Sequence, residues 1–193
     1  MAKLLICIAP EKFRDEEFNE PTRLLKAAHI SYDVASTHVG VAVGMFGTSV
    51  TVDVAMRDVN PNDYDGIIFV GGQGTPFVRQ DPASQTLAQT FSQQQKLVAA
   101  ICWAPTILAL AGVLQNRKAT VWDGDDVEFQ MTTSELLAKH QAIFTGEDLT
   151  IDGNIITANG PTAAPDFGQA ITAYFQTRGR PWSFRRWSYG APL

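Results

Sequence analysis

Cysteine is scarce in this chain of 193 residues: there are two, Cys7 and Cys102, both in apolar stretches and far apart in sequence. That excludes a disulfide framework and a paired-cysteine zinc site, and it fits a reducing compartment. Long apolar runs are missing too. Nothing approaches the roughly 20 residues of a membrane span, and the N-terminal MAKLLICIAP has too short an apolar core before Glu11 for a signal peptide. A cytoplasmic location with no membrane partner is expected. There is no basic surplus: 15 Lys and Arg against 20 Asp and Glu give a net charge of −5, which argues against a nucleic-acid partner. Internal repeats and low-complexity segments are absent.

What is present is apolar material, 45% of the residues, enough for one compact domain whose sheet is covered on both faces. Lys3–Ile8 reads as a buried strand, followed by an acidic loop and a helix over about Glu17–Ala28. Ser31–Ala35 reads as a short strand. The β-branched residues and glycines of Val39–Met56 suit a hairpin or irregular excursion better than a helix. Gly66–Val70 is a buried strand ending at Gly71-Gly72-Gln73-Gly74, and Asp81-Pro82 opens a Gln-rich helix to about Gln95. Lys96–Ile101 returns as a buried strand, and Thr106–Ala111 is a helix closed by Gly112. Asp152-Gly153 signals a two-residue hairpin between Leu149–Ile151 and Asn154–Thr157, and a last helix covers about Ala164–Phe175. This alternation predicts an α/β fold: a doubly wound, flavodoxin-like, mostly parallel sheet with helices on both faces and a small β-hairpin excursion.

In such a sheet the site lies where strands end, which selects Glu11–Glu20, Gly71–Gly74 and Cys102–Pro105. Cys102 follows Ala99-Ala100-Ile101 directly and precedes Pro105 at a helix start, the layout of a nucleophile elbow. A thiol before a helix N-terminus is favoured as thiolate, so a lowered pKa is expected for Cys102. Cys7, inside the first strand, reads as core. Gly71-Gly72 serves either as a tight turn or as a backbone donor; with the amide of Trp103, the Gly72 amide would make a two-donor oxyanion hole. Periodicity does not say which carboxylate among Glu11, Asp15, Glu16, Glu17 and Glu20 points inward.

These motifs together resemble the ThiJ/PfpI superfamily, which includes a parkinsonism-associated deglycase-like protein, PfpI-type intracellular peptidases, glyoxalases that need no added cofactor, and isonitrile hydratase. The resemblance runs from Lys3 to about Phe175. It is carried by Phe13-Arg14-Asp15-Glu16-Glu17 before Pro21, DGIIFVGG at Asp65–Gly72, AICWAP at Ala100–Pro105, AGVLQNRK at Ala111–Lys118, and Gly160-Pro161. It implies that Cys102 is the nucleophile, that Glu17 is the buried carboxyl on its sulfur, and that Gly72 and Trp103 supply backbone donors. Gly160-Pro161 would be a turn near the pocket, and Trp122 with Asp123 would stand where some relatives place a histidine.

The departures are informative. PfpI-type peptidases carry a histidine directly after the cysteine, and Trp103 stands there. Their triad acid from a neighbouring subunit would fall near Pro76, inside Thr75-Pro76-Phe77. His29, His38 and His140 have no catalytic counterpart. Without an adjacent imidazole there is no general acid for a poor amine leaving group, so peptidase activity is disfavoured. The reading expected is a cysteine-dependent hydrolase or lyase for a small carbonyl or other electrophilic substrate, glyoxalase-, hydratase- or amidase-like, needing no metal or organic cofactor. The alternative is a non-catalytic, redox-sensing stress or regulatory protein. Trp103 and Trp122 serve either packing or a small apolar pocket. The resemblance also implies a homodimer or higher homo-oligomer. Residues 1–176 are expected to form the domain, and 177–193 an Arg/Trp-rich tail that docks on its own body or a partner subunit, the alternatives for such a segment being an acidic surface, nucleic acid or lipid head groups.

Overall fold

The computed structural model describes residues 2–177; the Arg/Trp-rich tail expected from the sequence lies, from residue 178 onward, outside the described residues. The chain begins with β1 (Lys3–Cys7), β2 (Glu11–Phe13) and α1 (Asp15–Ala27), then β3 (Ser31–Ser36), β4 (Gly40–Gly44) and β5 (Ser49–Val52). β6 (Val54–Ala55) and β7 (Gly66–Phe69) lead into α2 (Thr75–Gln80), α3 (Pro82–Gln93), β8 (Leu97–Ile101) and α4 (Pro105–Leu110). There follow β9 (Lys118–Ala119), β10 (Asp125–Asp126), β11 (Met131–Thr132), α5 (Thr133–Lys139), β12 (Ile143–Phe144), β13 (Leu149–Asp152), β14 (Ile155–Ala158) and α6 (Ala164–Thr177).

The central sheet runs β13-β14-β8-β7-β1-β3-β6, and every pairing is parallel except β13 with β14. Its inner strands β3-β1-β7-β8-β14 follow the order 2-1-3-4-5 of a flavodoxin-like doubly wound sheet. Apolar sequence explains the interior position of β1, β7 and β8: strands covered on both faces read as continuous hydrophobic runs, and all five residues of β8 are buried. Asp81 caps α3 by accepting from the Ala83 amide at 2.9 Å, with Pro82 at the first helical position. α5 begins with a capping box between Thr132 and Glu135.

The excursion over Val39–Met56 is a hairpin, as its composition implies: β4 and β5 pair antiparallel, and β2 extends them into a separate three-stranded sheet. Asp15 ties this sheet to α1. Its carboxylate accepts from the amides of Thr48 at 2.8 Å and Phe46 at 2.9 Å. Burial raises the Asp15 pKa, but these hydrogen bonds outweigh it and hold the group below the usual carboxylate value. The hairpin near the C-terminus differs by one residue from expectation. Asp152 pairs with Ile155, so the loop is Gly153-Asn154, with Gly153 at φ +63 in the first loop position, where a type II′ turn places its glycine.

α1 packs along α6, and the approach is close. A Cβ on Gly168 would come within 2.8 Å of Leu24 Cδ1 and 2.9 Å of the Pro21 Cα. Gly168→Ala is expected to force the two helices apart and cost about 1–3 kcal/mol in urea unfolding, the usual effect of overpacking. Gly160→Ala serves as the contrast: the site has open space and an extended backbone at φ 161, so its unfolding midpoint should stay near wild type.

Candidate active site

The strands β1, β7 and β8 end at the same edge, where the order of the sheet reverses between β1 and β7. β8 ends in Ile101, and the next residue, Cys102, adopts φ +63, a conformation that disfavours any residue with a side chain. Hydrogen bonds on both sides impose it. The Cys102 amide donates to the Ala158 carbonyl at 2.8 Å, the Trp122 amide donates to the Cys102 carbonyl at 2.8 Å, and the Ala104 amide donates to Ile101 at 3.1 Å. The thiol is thereby turned away from the sheet toward the loop after β7. That loop must be glycine: a Cβ on Gly71 would sit 2.7 Å from Cys102 Cβ and 2.8 Å from Glu17 Oε2, and Gly72 combines φ +113 with a Cβ position 2.5 Å from the Arg14 nitrogen.

Glu17 is fully buried in the first turn of α1, which begins two residues earlier than the sequence suggested. Its Oε2 accepts from the Gly71 amide at 3.1 Å, and its carboxyl interacts with the Cys102 thiol. Among the described residues Oε1 has no hydrogen-bond partner. Burial pushes the Glu17 pKa up to about 8, against the opposing pull of Cys102, the Gly71 amide and Arg14. The carboxyl is therefore mainly protonated at pH 7. Burial also raises the thiol of Cys102, reinforced by the charge and hydrogen bond of Glu17, while the amides of Trp103 and Gly72 act on the sulfur in the opposite sense. This corrects the expectation of a lowered thiol pKa. α4 is short and starts only at Pro105, so desolvation and a neighbouring carboxyl outweigh its dipole. With Glu17 protonated, however, the repulsion it would exert on a thiolate is gone.

Trp103 is held by a network that the sequence reading missed. Its indole Nε1 donates to Asp126 Oδ2 at 3.0 Å, and its carbonyl accepts from Thr106 Oγ1 at 2.7 Å. Arg79, 1% exposed, meets both: Nη1 bonds Asp126 Oδ2 at 2.5 Å and Thr106 Oγ1 at 3.4 Å. Glu128 takes the other guanidinium nitrogen, and the Phe129 ring lies 4.7 Å from the guanidinium carbon. Asp126, although buried, is held below the ordinary carboxylate range because hydrogen bonds from Arg79 and Trp103 outweigh desolvation. No periodicity marks Arg79, which lies in a six-residue helix, or Asp126, which lies in a two-residue strand.

Cys102, Glu17, Gly72, Trp103, Trp122 and Pro161 line one open cavity of about 380 Å³, joined by Arg14, Met45 and Gln73. The Trp103 and Trp122 rings form one wall, with centroids 5.7 Å apart. Two expected pocket residues are not part of it. Asp123 is exposed and outside the lining, and Gly160 is buried next to Pro161 without lining the cavity. Cys7 is core, as read from the sequence. Among the described residues no cluster of three or more His, Cys, Asp or Glu could hold a metal ion, and no helix is long and apolar enough to cross a membrane.

The raised Glu17 pKa is a statement about stability. Above about pH 4.5 the unfolded chain releases this proton while the native chain keeps it, so the contribution is full below that pH and declines as pH rises toward 8. Urea midpoints measured from pH 5 to 8 should fall in the wild type and much less in Glu17→Gln. Arg79→Met should leave Asp126 buried and unpaired, with a loss of about 3–5 kcal/mol in the same experiment.

The family model described as DJ-1/PfpI matches residues 2–174. An uncharacterized protein of Methanocaldococcus jannaschii is 40% identical over 171 residues, covering 88% of this chain and 80% of its own length. Deglycase PfpI of Pyrococcus furiosus is 29% identical over 157 residues, covering 81% and 90%. The crystal structure of a ThiJ/PfpI domain protein from Brachyspira murdochii superimposes with a TM-score of 0.83 at 29% identity, covering 91% of this chain and 96% of that one. With the doubly wound fold and the cysteine elbow already described, the match over nearly the whole described chain makes this protein a member of the DJ-1/PfpI family.

Proposed function

We propose that the chain is a cysteine-dependent enzyme acting on a small carbonyl compound, with Cys102 as nucleophile and Glu17 as proton carrier. The observation that carries this reading is the hydrogen-bonded contact of the Cys102 thiol with the buried Glu17 carboxyl in a cavity open to small molecules. In the form of the pair that has lost one of its two protons, the thiol proton passes to Glu17 and Sγ adds to the carbonyl carbon as the carbon–oxygen π bond breaks; the carbonyl oxygen takes the proton from the Glu17 carboxyl, giving a neutral hemithioacetal and a Glu17 carboxylate. The thiol proton has then moved, through Glu17, to the substrate oxygen, with no change of oxidation state. The Gly72 and Trp103 amides rest on the sulfur in the free site and are released to the new oxyanion as charge leaves the sulfur. The deglycase name of the Pyrococcus furiosus relative supports carbonyl chemistry.

Peptide hydrolysis is a poorer fit. The residue after the nucleophile is an indole whose N–H is committed to Asp126, and an indole does not titrate near neutral pH.

Turnover of α-oxoaldehydes, isonitriles and activated amides should be abolished in Cys102→Ala and lowered by about 10²–10⁴-fold in Glu17→Ala, the usual contribution of a general acid–base group. Cys7→Ser, which alters only a buried core thiol, should keep the wild-type rate. Unchanged turnover in Cys102→Ala would end the proposal. Selective oxidation of Cys102 by mild peroxide without turnover of any compound would point to a sensor instead.

A further inference from the structure

Resting on that reading of the cavity, we propose that Arg14 makes the site selective for carbonyl compounds that carry a carboxylate. Arg14 is the one cation lining the cavity among the described residues. Its guanidinium is fixed from two directions. Glu16 accepts from Nε at 2.8 Å and from Nη2 at 3.1 Å, and the Phe46 ring lies 4.7 Å from the guanidinium carbon. A guanidinium has five N–H donors, and this pairing uses the edge formed by Nε and Nη2. Nη1 donates to no protein acceptor among the described residues, so the end formed by Nη1 and the second N–H of Nη2 remains for a ligand. Two parallel donors in one plane match the two oxygens of a carboxylate.

The charges agree with this assignment. Glu17, the carboxyl at the cavity floor, is raised to about 8 and is mainly neutral at pH 7. Glu16 does not line the cavity, and its side chain is 46% exposed, so water screens it. The rest of the lining is Trp103, Trp122, Met45, Pro161 and Gly72 with the neutral amide residue Gln73, which brings no competing charge. Cys102 and Arg14 thus line one cavity of about 380 Å³, room for a small molecule and not for a folded chain. The backbone keeps them in register: the Arg14 amide donates to the Gly71 carbonyl at 2.9 Å, in the same loop whose next amide reaches the Cys102 sulfur.

The test is binding to the Cys102→Ala protein, in which no adduct can form. Pyruvate and methyl pyruvate share a 2-oxo group and differ in the charge of the acid, and their binding is followed by the indole N–H resonances of Trp103 and Trp122. Pyruvate is expected to bind about tenfold or more tighter than the ester, the effect of one charge-assisted hydrogen-bonded pair. Arg14→Gln should erase that preference, Arg14→Lys should keep part of it, and Glu16→Gln, which removes the negative charge paired with Arg14 and keeps an acceptor for Nε, should strengthen it. Equal affinity for the two compounds, no saturable binding of pyruvate, or a preference that survives in Arg14→Gln would overturn the assignment. The first comparison requires no change at Arg14, so it stands even if an Arg14 variant fails to fold. Turnover without a carboxylate preference overturns this inference alone, and the preference without turnover overturns the enzyme reading alone.

Discussion

A buried carboxyl facing a half-buried thiol cannot tolerate two negative charges, and most of the architecture around Glu17 and Cys102 follows from that restriction. Desolvation raises both groups, so at least one proton stays with the pair. The protein supplies backbone donors where charge is left: the Gly71 amide on Glu17, and the Gly72 and Trp103 amides on the sulfur. Only glycine lets the backbone pass this close, since a Cβ at either position of Gly71-Gly72 would meet Cys102, Glu17 or the backbone before α1. Pro21 adds a further constraint: it has no N–H, so the carbonyl of Glu17 loses its usual helical partner four residues on, at the residue whose side chain must be held against the sulfur.

The residue after the nucleophile sets the kind of chemistry available. A histidine there would give a second titrating group. Trp103 instead gives a rigid wall, tied at its carbonyl through Thr106 and at its indole through Asp126, with both ties ending on Arg79. An ion pair this deep contributes little net stability, because desolvating the charges offsets their attraction. What it supplies is position: both ends of Trp103 are fixed from within one chain, and with them the amide that lies on the sulfur.

Legibility in the sequence divided along physical lines. The parallel sheet could be read because strands buried on both faces leave continuous apolar runs, as in LVAAI before Cys102 and GIIF before the glycine loop. The elbow could be read because strand, cysteine and proline follow one another locally. Glu17 could be assigned only through the family resemblance, since periodicity does not separate it from Asp15, Glu16 or Glu20. The short elements α2, α5 and β9 to β12 were not anticipated: two-residue strands and one- or two-turn helices leave no periodic signal, although the capping box from Thr132 to Glu135 was a readable sign of α5. Asp126 and Arg79 are 47 residues apart, and nothing local connects them. The thiol pKa was misjudged because a dipole argument sees the helix terminus and not the depth of burial.

The first turn of α1 carries two carboxyls with opposite environments, and their separation explains how the cavity is assembled. Two residues on a helix differ by about 200° in direction, so Asp15 and Glu17 point to opposite sides. Asp15 reaches the β4–β5 turn, where the Phe46 and Thr48 amides hold it as a carboxylate; Glu17 reaches the sulfur, where burial keeps it protonated. The same few residues therefore fix the proton carrier and the outer wall, because the turn held by Asp15 presents Met45 to the cavity and Phe46 to the Arg14 guanidinium. Arg14 lies directly before this turn. Chemistry at the floor and recognition at the rim thus share one rigid support, and any shift of α1 moves both together.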